Sequence, residues 1–308
     1  MKDLQKYQGI IPAFYACYDD KGDICPERVK ALTNYFIDKG VQGLYVNGSS
    51  GECIYQSVAD RKLVLENVMS VAKGKLTVIA HVACNNTKDS VELAMHAEAI
   101  GVDAIAAIPP IYFRLPEYAI ADYWNTISQA APQTDFIIYN IPQLAGVALT
   151  SDLYRKMLQN PQVIGVKNSS MPVQDIQNFV AIGGENHIVF NGPDEQFLGG
   201  RLMGAAAGIG GTYGVMPELY LTLNQLIVDK DLEKARELQF TINDIITKLC
   251  SGHGNMYAVI KSVLEINEQL TIGSVRLPLA SVTEEDKPII KEAAEMIRHA
   301  KNSFVKVR

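Results

Sequence analysis

Short apolar runs alternate with longer amphipathic stretches along most of this 308-residue chain. The short runs are rich in β-branched residues and carry no polar face, which is typical of strands buried on both sides of a parallel sheet. The predicted strands are residues 10–14, 43–46, 76–82, 104–108, 136–139, 163–167, 188–191 and 208–210.

The stretches between these strands have apolar residues at three- and four-residue spacing, the period of an amphipathic helix. This spacing predicts helices over residues 27–39, 58–72, 88–100, 117–130 and 194–203. Thr87 is a predicted N-cap, and Ser151 precedes another helical stretch. Gly40, Gly74 and Gly101 follow predicted helices, where a left-handed residue is favoured.

Eight such units follow one another without a change in composition, which predicts a closed (β/α)8 TIM barrel in the α/β class. An open doubly wound sheet is the alternative, but no GxGxxG motif follows the first strand. The last part of the chain predicts helices over residues 232–249, 256–267 and 284–302. We therefore expect a barrel over residues 1–229 and a C-terminal helical extension over residues 230–308, packed on the barrel.

Composition and charge exclude several classes of partner. With 48% hydrophobic and 20% charged residues, the chain can bury one large core. The net charge of -6 and the scattered basic residues predict no nucleic acid partner. The longest charge-free stretches, 136–151 and 202–217, are interrupted by Gly, Pro and Asn, so no membrane span is predicted. Residues 1–7 lack the pattern of a signal peptide, and we expect a cytoplasmic protein.

The cysteine and histidine residues give no metal-binding pattern. The five cysteines have irregular spacing without a CxxC pair, and the five histidines are equally dispersed. We therefore expect reduced thiols and no metal site.

Lys167 ends the apolar run Val163-Ile164-Gly165-Val166, so its amine is predicted to lie in the mouth of the barrel. Burial disfavours the charged form of an amine, and the neutral form is the one that attacks a ketone. An ordinary lysine at this place could instead extend to solvent or pair with a carboxylate. Its position at the end of an internal strand favours the nucleophile.

Two other strand ends carry candidate chemistry near Lys167. Tyr139 ends the neighbouring strand, where its phenol can transfer a proton, although a core tyrosine is the simpler interpretation of that residue alone. Ser49 and Ser50 lie between Gly48 and Gly51, and their hydroxyl and backbone N–H groups suit a carboxylate. A Gly/Ser segment is often only a turn, so this motif is weak in isolation.

Four segments resemble the pyruvate-dependent lyase and synthase family in their order and spacing. They are Gly48-Ser49-Ser50-Gly51-Glu52, Tyr139-Asn140-Ile141-Pro142, Gly165-Val166-Lys167 and Gly208-Ile209-Gly210-Gly211-Thr212-Tyr213. The resemblance covers the whole chain. It implies that Ser49 and Ser50 bind a pyruvate carboxylate, that Lys167 forms a Schiff base and that Tyr139 transfers protons, without a metal or organic cofactor.

Residues near the predicted mouth favour the sialic acid lyases within that family. Dihydrodipicolinate synthases have an arginine five residues after the tyrosine, whereas Leu144 occupies that position here. Gly192, Asp194 and Glu195 resemble the lyase segment that binds the polyhydroxyl tail of the substrate, although acidic residues also suit a helix N-terminus. The resemblance implies cleavage of N-acetylneuraminate, a sialic acid, to N-acetylmannosamine and pyruvate.

Three more positions take their interpretation from the resemblance. Ser169 resembles a hydroxyl residue beside the bound substrate, and Gly211 stands where such lyases often have serine. Tyr112 resembles a tyrosine that enters the site of the neighbouring subunit, which implies a homo-oligomer, commonly a homotetramer.

Other functions remain open from the sequence. The same Schiff-base chemistry could serve another 2-keto-3-deoxy sugar acid or the synthesis of dihydrodipicolinate from aspartate semialdehyde. A catalytically silent barrel that binds a metabolite is a more remote alternative, because such a protein has no chemical need for a lysine at a strand end.

Overall fold

The computed structural model describes residues 3–305, in which eight parallel strands form one barrel. Each strand is short and almost wholly buried. The strands are β1 (Gly9–Pro12), β2 (Gly43–Val46), β3 (Thr77–His81), β4 (Ala104–Ala107), β5 (Asp135–Asn140), β6 (Val163–Asn168), β7 (Ile188–Asn191) and β8 (Ala207–Gly210).

The order of the strands around the sheet is β1-β8-β7-β6-β5-β4-β3-β2, and each hydrogen-bonded pair is parallel. The ring closes between β1 and β2 just beyond the end of β1. There the Phe14 amide donates to the Tyr45 carbonyl at 2.9 Å, and Ala13 pairs with Tyr45 in an isolated parallel bridge. The closed barrel confirms the predicted fold class.

Helices follow the strands and form the outer layer. Those of the barrel are α1 (Pro26–Lys39), α2 (Val58–Ala72), α3 (Thr87–Ile100), α4 (Glu117–Gln129), α5 (Pro142–Ala145), α6 (Ser151–Met157), α7 (Gln174–Gly183), α8 (Phe197–Leu202) and α9 (Pro217–Val228). The C-terminal helices are α10 (Leu232–Cys250), α11 (Met256–Glu268) and α12 (Lys287–Phe304). Across residues 3–305, no helix has both the length and the apolar character that a membrane span requires.

The predicted division between residues 229 and 230 falls in the short connection between α9 and α10. The first residues of the predicted barrel, 1–2, and the last residues of the predicted extension, 306–308, lie outside the described residues. The tail is joined to the barrel by charged groups. Lys39 of α1 lies 2.5 Å from Glu218 of α9 and 2.8 Å from Glu268 of α11, and Lys301 of α12 contacts the same two carboxylates.

Strand side chains alternate between two apolar layers, as the sequence predicts for a buried parallel sheet. Ile11, Ile79 and Ile209 belong to the cluster inside the barrel. Ile10 and Val46 belong to the larger cluster between the strands and the helices. The apolar character of both strand faces follows from this burial.

Most predicted bounds are correct within two residues, and those of β2, β7 and α2 agree fully. The predicted cap at Thr87 is wrong, because Asn86 accepts the bond from the Asp89 amide at 2.8 Å and Thr87 is the first helical residue. Ser151 is likewise the first residue of α6, which Thr150 caps. The predicted helix over residues 194–203 begins with a 3-10 turn over Asp194–Gln196.

Strand β6 contains a bulge that the sequence pattern did not predict. Phe136 pairs with Val163 while Ile137 pairs with Gly165, so Ile164 is an extra residue. Ile164 packs inside the barrel, whereas Val166 packs outside it. Strict alternation from Ile164 would direct Lys167 outward, and the bulge instead brings Lys167 to the inner face.

Candidate active site

Lys167 and Tyr139 are direct partners across the β5–β6 pair, so both side chains enter the mouth of the barrel. Both are buried, at 5% and 3% exposure. The Lys167 Nζ atom lies 3.9 Å from the centre of the Tyr139 ring and 4.3 Å from that of Tyr45. The amine thus lies beside two aromatic rings. Such rings attract a cation through their π-electrons but, unlike a carboxylate, they carry no negative charge.

The next residue pair along β5 and β6, Asn140 and Asn168, is held by hydrogen bonds between side chains. Asn140 donates to the Asn168 Oδ1 atom at 2.7 Å, and Asn168 donates to the Ser170 hydroxyl at 2.9 Å. The Leu149 amide donates to the Asn140 side chain at 2.9 Å. These bonds hold the ends of β5 and β6, and therefore the lysine and the tyrosine, in a defined register.

The turn after β2 lies at the wall of the same cavity. Ser49–Gly51 forms a 3-10 turn, and Ser50 is buried with its hydroxyl 2.9 Å from the Tyr257 hydroxyl. Within the described residues, the Ser49 and Ser50 amides have no protein acceptor. The turn therefore presents hydroxyl and N–H groups together, which is the donor set that a carboxylate requires.

Asp194 is a buried carboxyl at the opposite wall. The Thr212 amide and the Thr212 hydroxyl both donate to its Oδ2 atom at 2.6 Å. Burial raises the pKa of Asp194 to about 6, while the bonds from Thr212 act in the opposite direction. This carboxyl is therefore able to change its charge near neutral pH.

The cavity has a volume of about 260 Å³ and brings together nearly all the residues that the sequence singled out. They come from the ends of five strands and the loops that follow. These residues are Ser49, Ser50, Tyr139, Leu144, Lys167, Ser169, Gly192, Asp194, Glu195 and Gly211. The exposed side chains of Leu144 and Glu195 lie at its rim.

Two glycines in the cavity wall are required by close contacts. A Cβ atom on Gly211 would lie 2.9 Å from the Tyr257 hydroxyl and 3.2 Å from the Ser50 hydroxyl. A Cβ atom on Gly192 would lie 2.0 Å from the Ser169 hydroxyl. The glycine that the sequence noted at position 211 thus leaves room for the Ser50–Tyr257 hydrogen bond.

Comparison with known proteins agrees with this arrangement. A family model described as the dihydrodipicolinate synthetase family matches residues 6–297. The chain belongs to the dihydrodipicolinate synthetase family. It is 68% identical to an N-acetylneuraminate lyase of Mediterraneibacter gnavus over 305 residues, which cover 99% of this chain and 97% of that protein. It is 34% identical to an N-acetylneuraminate lyase of Salmonella agona over 294 residues, which cover 96% and 98% of the two chains.

A solved structure within these relatives has the same fold. The Ruminococcus gnavus sialic acid aldolase, as a catalytic lysine mutant, has a TM-score of 0.98 and 68% identity, with coverage of 99% of this chain and 100% of that chain. This similarity extends over the barrel and the C-terminal helices alike. The family resemblance expected from the sequence is therefore confirmed.

Tyr112 is the predicted site residue that does not line the Lys167 cavity of its own chain. Its side chain is 89% exposed beside the exposed ring of Phe113, and both line a separate surface depression. The backbone at Tyr112 has a φ of +85°, a costly conformation for a residue with a large side chain. Tyr112 therefore lines a different surface from the cavity that contains Lys167.

The sequence missed several residues of the cavity wall. Ile246, Met256 and Tyr257 reach the cavity from the C-terminal helices. Their helical spacing marks them only as apolar positions, and nothing in the sequence places α11 beside β2. Tyr45, beneath the lysine, also gave no signal because it lies within a strand and not at its end.

Proposed function

We propose that this protein is an N-acetylneuraminate lyase, a class I aldolase that forms N-acetylmannosamine and pyruvate. The observation that carries the proposal is the buried Lys167 amine, which faces the same cavity as Tyr139 and the Ser49–Ser50 turn. The similar Ruminococcus gnavus aldolase has a catalytic lysine, and we assign that role here to Lys167.

The first half of the reaction forms the Schiff base. The lone pair of the neutral Lys167 amine attacks the C2 ketone of the open-chain substrate, and the Tyr139 phenol donates its proton to the hydroxyl group of the adduct. Loss of water then leaves an iminium ion beside the Tyr139 phenolate, which is the base for the second half of the reaction. Ser49 and Ser50 hold the neighbouring carboxylate through the Ser49 hydroxyl and the two backbone amides, because the Ser50 hydroxyl donates its proton to Tyr257. The rings of Tyr139 and Tyr45 contact the amine but carry no carboxylate, so they form no ion pair that would hold the amine in its charged form.

The second half breaks the carbon–carbon bond. Tyr139 accepts the proton of the C4 hydroxyl, and the C3–C4 electron pair moves into the iminium as the C4 carbonyl forms. N-acetylmannosamine leaves, and an enamine remains on Lys167. Protonation at C3 followed by addition of water releases pyruvate and restores the amine.

The opposite wall suits the polyhydroxyl tail of the substrate. Asp194 and Glu195 provide carboxylate acceptors for hydroxyl donors, and Ser169 and the backbone at Gly192 lie beside them. Gly211 contributes space in place of a hydroxyl group. Leu144 carries no charge at the rim, so a substrate with a second carboxylate gains no ion pair there.

We also propose a homotetramer in which Tyr112 enters the site of a neighbouring subunit. The exposed aromatic pair of Tyr112 and Phe113 supports this, because such surfaces are typical of subunit interfaces. A cytoplasmic location is proposed on separate grounds, because all five cysteines are free, as is usual in a reducing compartment.

The test is pyruvate release from N-acetylneuraminate by the purified protein, with N-acetylmannosamine identified as the second product. Lys167→Ala is the control and is expected to abolish both pyruvate release and the borohydride-trapped pyruvate adduct. Retention of the trapped adduct in that variant would exclude Lys167 as the nucleophile. Trapping of pyruvate by the unaltered protein without cleavage would retain the aldolase chemistry and exclude this substrate.

A further inference from the structure

One face of α11 contacts the Ser49–Ser50 turn at two places. Tyr257 and Lys261 are four residues apart, so their side chains lie on the same side of the helix. Ser50 donates a hydrogen bond to the Tyr257 hydroxyl at 2.9 Å, and the Lys261 Nζ atom lies 2.8 Å from the Glu52 Oε1 atom. A single helix of the C-terminal extension thus holds two residues of the turn.

The Lys261–Glu52 ion pair is shielded from water. The side chains are 2% and 0% exposed, and Lys261 also donates to the Ser274 carbonyl at 2.6 Å. The other Glu52 oxygen accepts from the Arg276 amide at 2.8 Å and from the Tyr18 hydroxyl at 3.2 Å. A buried pair with this many partners fixes the geometry of both side chains.

The backbone of the turn requires such support. Glu52 has a φ of +56°, in the left-handed region, where it ends the 3-10 turn over Ser49–Gly51. A non-glycine residue remains in this conformation only when its surroundings hold it there. Strand β2 ends at Val46, so Glu52 is not held by the sheet. The contacts from α11 and from the segment after it provide the support instead.

We propose that Lys261 and Tyr257 are positioning residues, through which the C-terminal extension sets the carboxylate-binding geometry of the Ser49–Ser50 turn. Lys261 acts through Glu52, and Tyr257 acts through Ser50. This inference rests on the proposed function, in which the turn binds the carboxylate of the keto acid. Under this proposal the C-terminal extension packs on the barrel and also determines the geometry of the binding site.

Three variants test the inference in the full-length protein. The double variant Glu52→Gln/Lys261→Met removes both charges of the pair, so that neither is left buried alone. Tyr257→Phe removes only the hydroxyl that faces Ser50. Lys39→Met is the matched control, because it breaks an ion pair to the same C-terminal extension at Glu268, together with one to Glu218 of the barrel, away from the turn.

The readouts are the pyruvate concentration that gives half-maximal borohydride trapping, and the KM and kcat for N-acetylneuraminate. We expect the first two variants to raise half-saturating pyruvate and KM about tenfold with little change in kcat, the pattern of lost binding energy. Lys39→Met is expected to lower the thermal midpoint while leaving half-saturation and KM unchanged.

The outcomes separate the two proposals. Absence of a trapped adduct in the unaltered protein would contradict the proposed function itself. Normal trapping in the unaltered protein, with unchanged half-saturation in the double variant and in Tyr257→Phe, would overturn the positioning role alone. If the double variant does not fold, Tyr257→Phe decides the question, since loss of one hydroxyl leaves the ion pair intact.

Discussion

Asp194 is a carboxyl group whose burial works against its charge. Its pKa of about 6 in the folded protein lies above the ordinary value of 3.8, because burial disfavours the ionised form. Folding therefore favours the protonated form, and this group contributes stability at pH values below its ordinary pKa. That contribution is lost as the pH rises through about 6. The ionised form at higher pH is the stronger acceptor for substrate hydroxyls.

We predict that the KM for N-acetylneuraminate falls as the pH rises through the pKa of Asp194. Asp194→Asn should remove this dependence and raise KM at neutral pH about tenfold, since a hydrogen bond to a charged group contributes about 1.5–3 kcal/mol. Steady-state kinetics across this pH range provide the measurement. Persistence of the same pH dependence in Asp194→Asn would assign the titration to another group.

The two tyrosines beside Lys167 differ in what their hydroxyl groups can do. Tyr139 lines the cavity, whereas Tyr45 lies deeper, and its buried hydroxyl has no hydrogen-bond partner among the described residues. We predict that Tyr139→Phe lowers kcat about 10²–10⁴-fold, the usual range for a lost proton transfer. Tyr45→Phe should change kcat only a few-fold. Equal losses in both variants would indicate that the rings, rather than the Tyr139 proton, matter.

At the level of single residues, the sequence predicted groups at strand ends and missed those from distant segments. Lys167, Tyr139 and Asp194 stood out because the C-terminal ends of barrel strands meet at one mouth. Tyr257 did not, because its contact with Ser50 joins residues far apart in the chain. The same contact accounts for Gly211, whose departure from the family pattern had no explanation in the sequence.

At the level of elements, the bulge in β6 determines the direction of the lysine. Gly165 lies at this bulge with a φ of +154°, and a Cβ atom there would meet the Ile188 carbonyl oxygen at 1.8 Å. Any side chain at position 165 must therefore displace β6 from β7. Because Lys167 lies two residues further along β6, such a displacement moves the amine as well.

We predict that Gly165→Ala lowers the free energy of unfolding by about 3 kcal/mol, near the upper end for overpacking, and sharply reduces kcat. Gly74→Ala is the matched control, because Gly74 also has a positive φ of +77° but open space around its Cβ position. It should cost about 1 kcal/mol and retain activity. Denaturant unfolding together with pyruvate release distinguishes the two. Normal activity in Gly165→Ala would show that the lysine tolerates a displaced strand.

The elements themselves were predictable because burial is periodic in this fold. Bounds such as those of β2 and α2 follow from apolar runs and helical spacing. The bulge in β6 was not predictable, because Ile164 and Val166 are both apolar and the hydrophobic pattern does not show which of them faces inward. The helix caps at Asn86 and Thr150 were each missed by one residue, because neighbouring polar residues are equally able to cap.

At the scale of the whole molecule, the proposed exchange of Tyr112 between subunits has a specific test. Tyr112→Ala and Lys167→Ala chains should each be inactive or nearly so. When they are mixed and reassembled, sites that combine an intact lysine with a neighbour's intact tyrosine should recover about a quarter of full activity. Pyruvate release after mixing is the measurement. No recovery, in chains shown to exchange, would contradict a shared site.

The C-terminal extension also spans the place where the barrel closes. The Tyr18 amide, after β1, donates to the Ile272 carbonyl at 3.0 Å, while Glu52, after β2, is held by Lys261 and Arg276. Both sides of the β1–β2 junction are thus bound by one segment, residues 261–276. The predicted boundary near residue 230 separates elements that the structure joins closely.

This link has a consequence for the order in which the protein is made. Synthesis on the ribosome proceeds from the N-terminus, so all eight strands are complete by Gly210, before residues 261–276 have been added. Until that segment emerges, the Ser50 and Glu52 contacts of α11 are missing from the nascent barrel. The proposed carboxylate site is therefore completed late, near the end of translation, because a chain released before residue 261 lacks these contacts.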